Sequence, residues 1–132
     1  MSYRNNHDIS VLNGRIIVSV SGLENGSDVV TISCQDGTVW RMVHEQDCCE
    51  SVSVEDFVGD AADLIGWVAD ARCETNDEAQ PEGITPQCRH DSFTWTFYII
   101  QTNKGAVTIR WLGVSSGYYS EAVDFELVQG VA

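Results

Sequence analysis

The chain reads as an α+β fold: an antiparallel β-sheet of about six to seven strands with one main amphipathic helix packed on it. Three observations predict this. Alternating, β-branched stretches recur along most of the 132 residues, divided by turn dipeptides. A single segment, residues 53–66, spaces its apolar side chains at helical intervals. The resulting order, β-β-β-α-β-β-β-β, leaves no room for a parallel βαβ unit.

Taken in order, "RIIVSV" from Arg15 is a short apolar strand, and "GLENGSD" after it holds an Asn-Gly turn pair. "DVVTISC" alternates and is β-branched; "QDGT" then supplies Asp-Gly, a strong hairpin signal. "TVWRMVHEQ" returns as the partner strand, with Val39, Arg41 and Val43 on one face and Trp40, Met42 and His44 on the other. The predicted helix follows, with Ser53 as N-cap and Asp56 three residues on. Val54, Phe57, Val58, Ala61, Leu64 and Ile65 form its apolar face, and Gly66 suits a left-handed ending. This helix is the expected cover for the sheet. "WVADARC" resumes a strand, and residues 75–91, with both prolines, form a long loop. "SFTWTFYII" alternates Phe93, Trp95, Phe97 and Ile99 against Thr94, Thr96, Tyr98 and Ile100. "TNKG" turns the chain into "AVTIRWLG", and "VSSGYYSE" turns it again into "AVDFELV".

Length and composition place this in one domain spanning residues 1–132, with 1–13 expected as a flexible N-terminus. No run approaches the roughly 18 apolar residues of a membrane span, and the first ten residues lack an apolar signal core. Five irregularly spaced cysteines argue for reduced thiols, so the expectation is a soluble intracellular protein. The charge is less ordinary. Twenty acids face seven bases, for a net −13, and twelve of the acids lie between Glu45 and Glu82, where the only base is Arg72. Such a field repels nucleic-acid phosphates and attracts basic surfaces. Direct nucleic-acid binding is not expected.

Three longer stretches, "WRMVHEQDCCESVSVEDFVGDAADLIG", "SFTWTFY" and "KGAVTIRWLGVSSGYYSEAVDF", resemble an uncharacterised domain family associated with tailed bacteriophages. Its members share a Tyr-Arg-Met-Tyr-His-x-Gln-Asp-Cys-Cys-Glu core, a Gly-Asp-x-x-Asp-Leu-Ile-Gly stretch and an Asn-Gly-Tyr-Tyr-Ser-Glu turn. The resemblance covers roughly residues 28 to 126. Here Trp40 and Val43 stand where tyrosines are usual, Ser116 replaces the asparagine, and Cys73 and Cys88 lie outside the pattern. The resemblance implies a phage or prophage source and brings no known activity.

Two places carry candidate chemistry. In "HEQDCCE", His44, Cys48 and Cys49 are the metal-ligand types present, but zinc needs four ligands, and no CxxC or HxxxH pair completes the set. No metal is therefore expected. A cysteine nucleophile is disfavoured too, because surrounding acids raise a thiol pKa. The plainer reading makes the stretch a structural corner, with one cysteine in the core and Asp47 and Glu50 tying the turn. The second place is "SSGYYSE", where Tyr118 and Tyr119 at a hairpin tip suit recognition, with Glu121 beside them and Arg110 on the preceding strand. Asp60 and Asp63 add acidic steering. Trp95, Phe97, Trp111 and Phe125 are expected in the core.

The functional expectation is a phage-encoded, non-enzymatic, acidic binding protein without a cofactor. It would inhibit a host defence or regulatory protein, in the manner of an anti-CRISPR, in the cytoplasm of the infected bacterial cell. The partner would be a host protein, including one that itself binds nucleic acid, with no membrane involved. Two alternatives stand beside it: a small-ligand (nucleotide) sponge or metal-binding module, and a virion structural component.

Overall fold

A computed structural model of the protein describes residues 7–45, 50–76, 92–115 and 120–130. Eight strands form one antiparallel sheet: β1 (Ile16–Ser21), β2 (Val29–Cys34), β3 (Val39–Val43), β4 (Ser51–Val58), β5 (Gly66–Asn76), β6 (Ser92–Thr102), β7 (Gly105–Ser115) and β8 (Asp124–Gln129). Their lateral order is β4-β7-β6-β5-β1-β2-β3-β8. Two 3-10 turns, Ile9–Leu12 and Ala61–Leu64, are the only helical elements among the described residues.

The α+β expectation is thus corrected to an all-β fold, and its error has a local cause. Residues 53–58 continue a strand in which Val52 and Val54 point inward. A bulge between Val54 and Asp56 then inserts one residue, so that Phe57 returns to the inward side opposite Ile109. The spacing of three from Val54 to Phe57 imitates a helical step, although it arises from a strand with one extra residue. Val58, assigned to the helix's apolar face, is 58% exposed. Gly59 ends the strand at φ +112°, and a Cβ there would sit 2.7 Å from the carbonyl oxygen of Ala106. The β-branched valines of "SVSVEDFV" favour the extended form throughout. Asp60, not Ser53, acts as a cap: its Oδ1 accepts from the Ala62 amide at 3.0 Å and starts the short 3-10 turn.

With no α-helix among the described residues, the sheet buries its apolar face against itself. It divides into two broad halves joined at a narrow seam, where Ile16 pairs with Trp67 and Ile17 with Gly66. Its β4 edge meets the β1–β2 connection, since Gly26 N–H donates to the Val54 carbonyl (2.7 Å) and Val54 N–H to that of Ser27 (2.8 Å). Side chains from both halves share one core, centred on Trp40, Trp111 and Phe125. Each of these large aromatics contributes roughly 4–6 kcal/mol of hydrophobic stabilisation as an upper bound. Ile9 and Leu12 of the first 3-10 turn are fully buried in the same core, and His7 sets its ring edge-on to Trp40 at 5.1 Å.

The alternation of β6 is real, but the buried face is the less apolar one. Tyr98 and Ile100 enter the core, in one row with the buried Thr96 and Thr102. Trp95 and Phe97 stand on the opposite face, stacked at 5.9 Å; Trp95 is itself buried at 6% exposure, but apart from the main core cluster that holds Trp111 and Phe125. The partner strand decides this. In β7 the buried row is Val107, Ile109 and Trp111, which leaves Arg110 on the other side, and the register sets Phe97 opposite Arg110. Turning the hairpin over would carry the Arg110 guanidinium into the apolar core, where a charge is costly to bury.

Candidate functional site

Of the two places with candidate chemistry, Cys48 and Cys49 in the first, and Tyr118 and Tyr119 in the second, lie outside the described residues. What flanks them does not. β3, β5 and β7 end, and β4, β6 and β8 begin, at one end of the sheet: Ser51 pairs with Val114, Ser92 with Ser115, and Val43 with Asp124. The three stretches that carry the resemblance therefore converge there, although they span residues 40 to 125 in the chain.

His44 follows directly on β3. Its side chain is 4% exposed and bonds through Nε2 to Glu50 Oε2 at 2.8 Å; the Glu50 side chain is 0% exposed. Nδ1 donates to the carbonyl oxygen of Ala122 at 2.7 Å, which fixes the proton position because a carbonyl only accepts. Both ring nitrogens thus have partners within the chain. The pair ties the two sides of "HEQDCCE" together and anchors them to the start of β8.

Glu121 lies close by in sequence to Ala122 and is 8% exposed. Its carboxylate collects three hydroxyl groups: Thr94 Oγ1 donates at 2.7 Å, Ser92 Oγ at 3.4 Å, and Ser115 Oγ in a short bond. These hydroxyls come from the inward row of β6 and β7, and Gly113 makes space for the acid. A Cβ at Gly113 would lie 2.7 Å from the Glu121 carbonyl oxygen and 2.8 Å from its Cβ. The Tyr98 hydroxyl donates to the Val123 carbonyl at 3.2 Å, closing the same end. Glu121 thus stoppers the core as a buried, hydroxyl-satisfied carboxylate.

The remaining candidates are elsewhere. Arg110 lies on the opposite face of the sheet from Glu121, its guanidinium 4.8 Å from the ring centre of Trp95. Its Nε comes within 2.6 Å of Asp56 Oδ1 but off the N–H axis, so the contact is an ion pair without an aligned hydrogen bond. Asp60 caps the second 3-10 turn, and the Asp63 main-chain carbonyl accepts from Thr102 Oγ1. Both belong to the other end of the sheet. Neither described cysteine has a partner thiol; burial is the first cause that pushes the Cys34 thiol up, away from the reactive thiolate form, while Cys73 is exposed. Among the described residues, no group of three or more His, Cys, Asp or Glu side chains could hold a metal ion, and no helix is long and apolar enough to cross a membrane.

Reading the sequence missed the acceptor role of Glu121 and the importance of Ser92, Thr94 and Ser115. A signal was present: hydroxyl residues at 92, 94 and 96 recur with period two, beside a glycine in the facing strand. No curated protein and no solved structure matches this chain. A family model does match, over residues 10–125, and the segments at this end of the sheet fall within it: the chain belongs to the family described as Domain of unknown function (DUF7448).

Proposed function

We propose that this protein works by binding rather than by catalysis, and that its partner is a positively charged surface of a host protein. One observation carries the reading. Of the five bases among the described residues, Arg15, Arg41, Arg72 and Arg110 are each paired with a carboxylate of the same chain. Glu50, Glu121 and Glu126 are buried, but the net charge of −13 still leaves a large acidic excess with little basic surface set against it, a field that steers basic partners and rejects phosphate backbones. In the phage setting that the resemblance implies, the partner would be a host defence or regulatory protein, including one whose basic surface serves nucleic acid.

The test is capture from host lysate on the immobilised protein, with mass spectrometry of bound proteins and small molecules, followed by binding of the purified partner at several salt concentrations. A basic partner whose association slows as salt rises is the expected result. Recovery of a stoichiometric nucleotide or metal with no protein partner would overturn the proposal.

A further inference from the structure

We draw no further inference here: the strongest candidate, the exposed apolar strip of Ile16, Val18 and Trp67 on the outer side of the β1–β5 seam, carries nothing because nothing in the structure shows what covers it.

Discussion

At one end of the sheet the chain reverses within a few residues, from Cys34 to Thr38 and from Thr102 to Gly105; at the other, strands are tied by side chains far apart in sequence. The first end is closed by backbone. Gly37 takes φ +90°, and Asp36 Oδ1 accepts from the amide and hydroxyl of Thr38. The second end is closed by buried polar groups: His44 reaches across 78 positions to Ala122, and Thr94 across 27 to Glu121. The difference is one of stakes. A turn that loses its preferred residue pays a local conformational cost, whereas a buried acid that loses a donor gives up a partner that water is not at hand to replace.

Substitutions can set the two ends against each other. The largest effect is expected for His44→Ala, which strips the Nε2 bond from a carboxylate with no exposure and frees the Ala122 carbonyl; about 3 kcal/mol of stability should be lost. Urea unfolding measures it, and a loss below about 1 kcal/mol would mean that the pair contributes little to closing this end. Gly113→Ala should come next, at about 2 kcal/mol, because the new methyl meets Glu121 main-chain atoms that cannot move without displacing the stopper. An unchanged thermal midpoint would show that Glu121 has room to give.

At the turn end the costs should shrink. Gly37→Ala meets nothing within 4 Å, so only the left-handed backbone counts, at about 1 kcal/mol. If it proves as damaging as Gly113→Ala, the contrast between the ends fails. The smallest effect concerns pH. Hydrogen bonds from the Thr38 side chain and backbone hold the Asp36 carboxyl below its ordinary value, with help from Arg15. A carboxyl lowered in the fold contributes stability above its unfolded value, near 3.9, and loses it as pH falls through the folded value. The small stability gap between wild type and Asp36→Asn should therefore be present at pH 7 and close below about pH 4. A gap that widens in acid would contradict the assignment.

Much of this was legible without coordinates. Seven strands and the turns at Asp36-Gly37 and Asn103-Lys104 follow from alternation and turn chemistry, which act within a few residues. The inward pair Trp40 and Met42 could be read as one face of β3 for the same reason. The eighth strand, β4, could not, because a bulge and a 3-10 turn together reproduce the spacing of a helix, and only pairing with β7 distinguishes them.

What the sequence by itself determined, then, is the local content: extended segments, reversals, the acidic balance, and two polar stretches of unusual composition. Tertiary structure decided which face of each strand is buried and what the polar residues are for. Period two divides Trp95 and Phe97 from Tyr98 and Ile100 but assigns neither set to the core; Arg110, on the neighbouring strand, forced that choice through the cost of burying its charge. Likewise Glu121 reads as an exposed turn acid until Ser92, Thr94 and Ser115 arrive from two other strands to donate to it. A buried charge is tolerable only where its partners converge, and convergence is a property of the fold, not of any stretch of chain.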